Sequence, residues 1–182
     1  MKRIHILGAS CCGTTTLGRA LAQTMAASHL DTDDFFWLPT DPPYRMSRPA
    51  PLRLALLRDA MDAAPSWVLS GSMCPWGDSL MPRLDLVVFL TASTELRLAR
   101  LRAREIARYG EAILAPGGAM HAHHEAFIAW AANYDNGGLD KRSRARHEEW
   151  ITRLACPVLR LPGDMPTADQ LAAIAEVAAA HA

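Results

Sequence analysis

A strand, a glycine-bounded loop and a helix open the chain, and this order constrains the fold more than any other feature. Residues 2–7 alternate polar and apolar side chains before Gly8, as in a short buried strand that ends in a turn. Apolar residues then recur at four-residue spacing, which predicts an amphipathic helix over about 14–27. Parallel α/β sheets begin with this succession of elements.

The rest of the chain continues the alternation of strands and helices. Further strands are predicted to end near Leu30–Asp31 and to cover 67–69, 84–90 and 157–161. The run 84–90 is almost wholly apolar, which is typical of a parallel strand covered on both faces. The sequence therefore predicts an α/β fold, a three-layer sandwich with about five parallel strands.

The glycine loop has the features of a phosphate cradle. Residues 8–15 follow the spacing GxxxxGK[ST], with Thr14 in the position of the lysine and Thr15 as the hydroxyl that binds Mg²⁺. Inward-pointing amides and the helix N-terminus favour anions. The alternative is a glycine turn in an unrelated α/β protein. The predicted nucleotide-binding residues are Gly8, Ala9, Ser10, Cys11, Cys12, Gly13, Thr14, Thr15 and Thr16.

A cluster of aspartates follows the second predicted strand. Asp31 and Asp33 point to the same side at a strand end, and one of them can orient an acceptor hydroxyl or bind Mg²⁺ through water. The alternative is a polar turn whose carboxylates cap a helix. Trp37 nearby either walls an acceptor pocket or belongs to the core.

Arginines supply nearly all of the positive charge, because only Lys2 and Lys141 of the 19 basic residues are lysines. Lys2 lies roughly 20 Å from the loop at ~3.3 Å per strand residue, beyond side-chain reach. Phosphoryl transfer still needs a cation, which we expect from arginines that approach when a lid closes. A solvated basic face is the alternative. At least two of four arginines are predicted to reach phosphate: Arg100, Arg104, Arg142 and Arg144.

These motifs resemble those of the adenylate-kinase-like and shikimate-kinase-like small P-loop kinases, in particular a bacterial subgroup described as adenylate kinases or topology-modulation proteins. The shared segments are GASxxGTTTLG at 8–18, LDTDD with a following Trp and Pro at 30–39, WVLSGS at 67–72, and HxxFxxWAxxYD at 124–135. The resemblance runs from end to end, and it implies that the threonine in the lysine position is a feature of the subgroup.

The resemblance implies a P-loop NTPase of the nucleoside-monophosphate-kinase type. A single domain over 1–182 would carry an acceptor-binding insertion at about 35–64 and a helical lid at about 105–146. In shikimate-type kinases an Asp-x-Asp pair orients the acceptor and the metal ion. The implied metal-binding residues are Thr15 and Asp33, with Asp33 also catalytic beside the four arginines. The implied substrate-binding residues are Asp31, Asp33, Trp37, Gly71 and Ser72.

The segment after the third strand departs from that of true adenylate kinases. Those enzymes carry Asp-Gly-Phe-Pro-Arg there, whose arginine holds the acceptor phosphate, whereas residues 70–74 are Ser-Gly-Ser-Met-Cys. This departure leaves the acceptor open between a nucleoside monophosphate and a polyol-like metabolite.

Charge and hydropathy narrow the function classes. Lysine plus arginine equals aspartate plus glutamate at 19 each, which argues against a nucleic-acid or polybasic membrane-surface protein. No apolar run approaches the ~20 residues of a membrane span, and the apolar stretch at the start is too short for a secretory signal. We expect a cytoplasmic monomer or homodimer.

The combined motifs predict a kinase that uses ATP or GTP with Mg²⁺ to phosphorylate a small acceptor. The alternative is a nucleotide-binding regulatory module with little or no turnover. The missing loop lysine favours the module, whereas the paired aspartates and the arginines favour the enzyme.

Overall fold

Five parallel strands form one sheet in the computed structural model, which describes residues 2–180. Their spatial order is β2-β3-β1-β4-β5, so the strand that leads into the glycine loop lies in the centre. The predicted α/β fold with five parallel strands is confirmed. The strands are β1 (Arg3–Gly8), β2 (Ser28–Asp31), β3 (Trp67–Ser70), β4 (Leu86–Thr91) and β5 (Val158–Pro162).

Helices connect the strands and cover both faces of the sheet. The first predicted helix ends earlier than the sequence indicated, because Ala26 takes a left-handed conformation (φ 49°) and β2 begins at Ser28. No helix in residues 2–180 is long and apolar enough to cross a membrane. The α-helices are α1 (Thr14–Thr24), α2 (Thr32–Phe36), α3 (Ala50–Asp62), α4 (Thr94–Tyr109), α5 (Glu111–Leu114), α6 (His121–Ala132), α7 (Arg144–Thr152) and α8 (Thr167–Ala180).

Two apolar clusters sandwich the sheet. On one face, side chains such as Ile6 pack with α1 and α8 residues, among them Leu17 and Ile174. On the other face, Phe89 packs with α3 and with Trp150 of α7. Alternate residues of each central strand enter opposite clusters, which explains the nearly continuous apolar runs in the sequence.

A smaller third cluster joins α4 to α6 above the glycine loop. Leu101, Ile128 and Ala131 form it, and Cys11 of the loop packs against it. The segment between α4 and α7, residues 110–143, contributes Ile128 and Ala131 to this small cluster and Tyr134 to the cluster with α1 and α8. We call it the connecting segment.

Parallel pairing brings three chain segments together at one edge of the sheet. Gly8 ends β1, Asp31 ends β2 and Gly71 follows β3 directly. Ligands of open α/β sheets bind at the carboxyl ends of the strands. This edge is therefore where a site is expected.

Candidate active site

A cavity of about 750 Å³ opens at this edge of the sheet. The glycine loop, the aspartates after β2, the outward face of α4 and the loop before α8 line it. The predicted site residues that line it are 9–16 of the loop together with Asp31, Asp33, Gly71, Arg100, Arg104 and Arg142. Four predicted site residues lie outside the lining: Gly8, Trp37, Ser72 and Arg144.

The loop wraps around the first turn of α1. Gly13 precedes the helix with φ 100°, a left-handed conformation that side chains disfavour. At Gly8 a Cβ would lie 2.6 Å from the carbonyl oxygen of Leu90, so only glycine lets β1 pass that close to β4. No side chain in the described residues caps α1, and its first turn holds no acid. The exposed amides therefore present partial positive charge to the cavity.

Asp31 connects the loop to the second strand. Its Oδ2 accepts a hydrogen bond from the Thr15 hydroxyl at 3.0 Å, and its Oδ1 accepts one from the backbone N–H of Asp33 at 3.1 Å. Asp31 thus caps α2, which agrees with the alternative that these carboxylates cap a helix. Asp31 also holds Thr15 of the loop. The two roles place three oxygen-bearing side chains together.

Asp33 points into the cavity from the first turn of α2. The surrounding protein and the neighbouring charge of Asp31 raise the pKa of its carboxyl above the ordinary value. Arg142, a hydrogen bond from the Trp37 side chain and Arg104 oppose the rise. A carboxylate with a raised pKa accepts a proton more readily than an ordinary one. Trp37 therefore acts on the cavity through Asp33 rather than as part of its wall.

Two arginines contact backbone carbonyls at the glycine loop. Arg142 donates from Nη2 to the Gly8 oxygen at 2.9 Å. Arg100 donates from Nη1 to the Gly163 oxygen at 3.0 Å and to the Cys11 oxygen at 3.4 Å. The structure holds both guanidinium groups against the loop, and their approach on lid closure stays a prediction.

Arg104 and Arg108 line the part of the cavity that faces Asp33 and Tyr44. Their nearest acid is Glu105, whose Oε1 lies 3.6 Å from Arg104 Nη2 and 3.8 Å from Arg108 Nη1, both longer than a hydrogen bond. Arg108 also lies over the Tyr44 ring at 5.0 Å. Arg108 was not among the arginines predicted to reach phosphate, although its four-residue spacing from Arg104 signals the same face.

The other arginines near α4 pair with Asp135 instead. Arg97 is 1% exposed, lies 2.7 Å from Asp135 and donates to the Ala131 carbonyl at 3.1 Å. Arg144 has its Nε 3.6 Å from the same carboxylate and does not line the cavity. These two arginines join α4 and α7 to the end of α6.

Ser72 and Gly71 follow β3 but have different surroundings. Gly71 lines the cavity with φ 99°, and a Cβ there would collide with the Thr32 hydroxyl. The Ser72 hydroxyl lies 2.9 Å from His147 Nε2, inside the protein. Tyr134 bonds the other ring nitrogen of that histidine at 2.8 Å. Sequence reasoning missed this buried group, because no local pattern links the three residues.

The residues at the rim of the cavity fit a magnesium ion. Mg²⁺ prefers oxygen ligands and is bound through one or two carboxylates and substrate phosphates. The Thr15 hydroxyl and the Asp31 carboxylate, 3.0 Å apart, offer such a donor set beside the loop. Asp33 was also predicted from the sequence as a metal-binding residue. It lies two residues after Asp31, and its backbone N–H donates to the Asp31 carboxylate.

A protein family and a bacterial protein match this chain in sequence. The family model for an AAA domain matches residues 4–113. "Uncharacterized protein YqaC" of Bacillus subtilis (strain 168) is 47% identical over 163 residues, covering 90% of this chain and 89% of that protein.

Two solved kinases have a similar structure. The shikimate kinase from Bacteroides thetaiotaomicron superposes with a TM-score of 0.59 at 18% identity, over 97% of each chain. A gluconokinase from Sinorhizobium meliloti 1021 superposes with a TM-score of 0.52 at 16% identity, over 100% of this chain and 97% of that one. At these identities the likeness establishes the fold and leaves the substrate open.

Proposed function

The chain belongs to the AAA-domain family of P-loop NTPases, and on that premise we propose that it is a kinase with a small-molecule acceptor. The donor is ATP or GTP with Mg²⁺, and the γ-phosphate is transferred to an acceptor hydroxyl. The resemblance to adenylate-kinase-like proteins and the kinase neighbours both support this reaction class.

One observation carries the proposal. The glycine loop and Asp33 share a single cavity, with Arg100, Arg104 and Arg142 between or beside them. A protein that only binds a nucleotide needs the glycine loop. It does not need a carboxylate with a raised pKa in the same cavity as that loop. The arrangement therefore suits transfer to a second molecule better than binding alone.

Asp33 is the proposed base. It accepts the proton of the acceptor hydroxyl while the acceptor oxygen bonds to the γ-phosphorus and the bond to the bridging oxygen of the β-phosphate breaks. ADP or GDP leaves with the electron pair of that bond. The raised pKa of Asp33 favours uptake of the proton from the acceptor hydroxyl.

Arginines and the loop amides supply the positive charge that the missing lysine does not. Arg100 and Arg142 contact the loop, and both belong to segments outside it. Guanidinium groups suit phosphate oxygens, because their N–H groups bind two oxygens at once. Arg144 was also predicted for this role, but its ion pair with Asp135 and its place outside the lining favour a structural role. Mg²⁺, when held by Thr15 and Asp31, neutralises phosphate charge.

The part of the cavity lined by Asp33, Arg104 and Arg108 suits an acceptor that has both a hydroxyl and an acid group. Asp33 can take the hydroxyl, while Arg104 and Arg108 lack a hydrogen-bonded acid of their own in residues 2–180 and suit a carboxylate or phosphate. Gly71 lines the same cavity, and its missing side chain lets the Thr32 hydroxyl pack against its backbone. Neither nucleic acid nor a membrane enters the proposal. The four free cysteines suit the reducing cytoplasm, which we propose as the compartment.

A coupled assay of nucleoside diphosphate release tests the proposal. ATP·Mg²⁺ and GTP·Mg²⁺ are offered with a panel of nucleoside monophosphates, sugar acids and neutral polyols. Release that rises with one acceptor class supports the kinase. Tight nucleotide binding without stimulated release selects the regulatory module, which the threonine at position 14 favours. Absence of nucleotide binding overturns both.

A further inference from the structure

A buried chain of polar side chains joins the sheet edge to the connecting segment. His147 in α7 is fully buried. Its Nε2 lies 2.9 Å from the Ser72 hydroxyl and its Nδ1 lies 2.8 Å from the Tyr134 hydroxyl. A neutral imidazole has one donor and one acceptor nitrogen, and here each has a hydroxyl partner that can adapt to it.

These three side chains, Ser72, His147 and Tyr134, form a fixed link and do not act as a proton switch. Burial, with the charge of Arg142, lowers the pKa of His147 to about 3. Burial also raises the pKa of Tyr134 above its ordinary value. Neither side chain changes charge near neutral pH, so both hydrogen bonds persist there.

The residues that follow Arg142 hold its backbone in place beside the link. The N–H of Arg144 donates to the backbone oxygen of Tyr134 at 2.9 Å. Buried Ser143 caps α7 and donates to the Gly138 oxygen at 2.8 Å. Arg142 lies in the short stretch that these two contacts close, and its side chain leaves that stretch toward the loop.

The Arg142 guanidinium reaches the first residue of the glycine loop. Its Nη2 bonds the Gly8 oxygen at 2.9 Å, its carbon lies 5.8 Å from the centre of the Trp130 ring, and it lines the cavity. Its buried Nε has no hydrogen-bond partner within residues 2–180. The side chain is thus held by few contacts of its own, and its placement depends on the backbone that carries it.

We propose that His147 is a positioning residue, which through Tyr134 and the start of α7 holds Arg142 against the glycine loop in place of the absent lysine. The inference rests on the proposed function and deepens it. Nucleotide affinity would then depend on a histidine that does not line the cavity. Through Ser72, the same link would also connect Arg142 to the end of β3.

The test measures the affinity for ATP·Mg²⁺ by calorimetry in the full chain. Tyr134→Phe removes one hydroxyl and keeps the ring, and His147→Gln keeps a polar group with reach toward Ser72. We expect Tyr134→Phe and His147→Gln each to weaken binding by about tenfold, within the range for coupled side chains, because both break the link between residues 134 and 147. In an Arg142→Ala background neither substitution should weaken binding further.

A matched control separates positioning from stability. Trp150→Phe, in the same helix, removes a 2.8 Å hydrogen bond to Asp78, which has no contact with Tyr134 or Arg142 among the described hydrogen bonds. It should lower the melting temperature and leave the affinity for ATP·Mg²⁺ unchanged. If Tyr134→Phe behaves like this control, or if it weakens binding equally with and without Arg142, the inference is overturned. Should His147→Gln fail to fold, Ser72→Ala tests the same link from its other end.

Failure of the inference and failure of the proposed function look different. A wild-type chain that binds no ATP·Mg²⁺ overturns the proposed function and this inference with it. A wild-type chain that binds the nucleotide, with variants that bind it equally well, overturns the inference alone.

Discussion

At the scale of single residues, Asp33 is the group whose chemistry is most open to test. Asp33→Asn keeps the shape of the side chain and removes the base. We expect stimulated phosphotransfer to fall by ~10²-fold or more, while the affinity for nucleotide changes little. Asp34→Asn is the matched variant, because Asp34 also lines the cavity and has a raised pKa. Full activity in Asp33→Asn would reduce Asp33 to a structural carboxylate.

The same substitution has an opposite effect on stability. The folded state raises the pKa of Asp33, so the unfolded chain loses this proton first as the pH rises. Between the ordinary aspartate pKa and the raised pKa of the folded state, ionisation of Asp33 destabilises the fold more and more as the pH rises. Above the pKa of the folded state, the destabilisation is constant. Asp33→Asn should be more stable than the wild type near pH 7 and equal to it in acid. Urea unfolding at several pH values measures the difference, and a destabilised variant at pH 7 would contradict it.

Arg142 and Arg144 form a natural pair for comparison. They are two residues apart, but the first contacts Gly8 whereas the second pairs with Asp135. Arg142→Ala should lower kcat by about 10³-fold, as for an arginine that stabilises a transferring phosphoryl group. Arg144→Ala should lose only the modest stability of a half-exposed ion pair. Equal loss of activity in both would contradict the assignment, and normal turnover in Arg142→Ala would leave the charge to Mg²⁺ and backbone amides.

The residues of the site were predictable to different degrees. The loop and the aspartate pair are contiguous motifs, so their chemistry can be recognised in the sequence alone. The contact between Arg142 and Gly8 spans 134 residues, and no local pattern selects it among the arginines of the second half. Arg97 shares a helix face with Arg100 and Arg104 but is buried, because the start of α4 packs against the end of α6 and its acid, Asp135.

At the scale of elements, the turn into α1 depends on backbone conformation rather than on space. Gly13 has φ 100°, and a Cβ there would meet nothing closer than the Gly163 oxygen at 4.0 Å. Gly13→Val should therefore misdirect the loop amides and abolish the binding of ATP·Mg²⁺ while the domain stays folded. Calorimetry and circular dichroism measure the two effects.

Gly117 provides the control for this prediction. It has φ 85°, a Cβ at this position would meet no described atom within 4 Å, and it lies between α5 and α6, away from the cavity lining. Gly117→Val carries the same backbone strain and should leave nucleotide affinity intact. Unchanged affinity in Gly13→Val would show that the loop amides do not hold the nucleotide.

Strands were more predictable than helices in this fold. Buried parallel strands are apolar on both faces, so their sequence signal survives without knowledge of the partners. The helix α7 was not predicted as a separate element, because its sequence is mostly charged and its buried positions include His147. That histidine is compatible with burial only when Ser72 and Tyr134 are in place. Such a helix is recognisable from tertiary structure rather than from periodicity.

At the scale of the whole molecule, the sheet and the connecting segment, which covers the glycine loop, differ in how much apolar core they have. Two large clusters enclose the sheet, whereas the cluster between α4 and α6 contains three buried side chains. Regions with few buried apolar contacts open locally at low free energy. The connecting segment, residues 110–143, should therefore open more often than the strands, although it carries Arg142.

Nucleotide binding should change this balance, and hydrogen exchange can measure it. If Arg142 binds phosphate, opening of the connecting segment requires release of the nucleotide. At a nucleotide concentration 100 times the Kd, binding stabilises the closed state by about 2.7 kcal/mol, so amides that exchange through this opening should slow by about 100-fold. Amides of the central strands, which exchange through global unfolding, slow as well, but from a much lower starting rate. Mass spectrometry with and without ATP·Mg²⁺ separates the two sets, and Arg142→Ala at saturating nucleotide is the control. Protection confined to the glycine loop, with the connecting segment exchanging as before, would mean that the cover takes no part in holding the nucleotide.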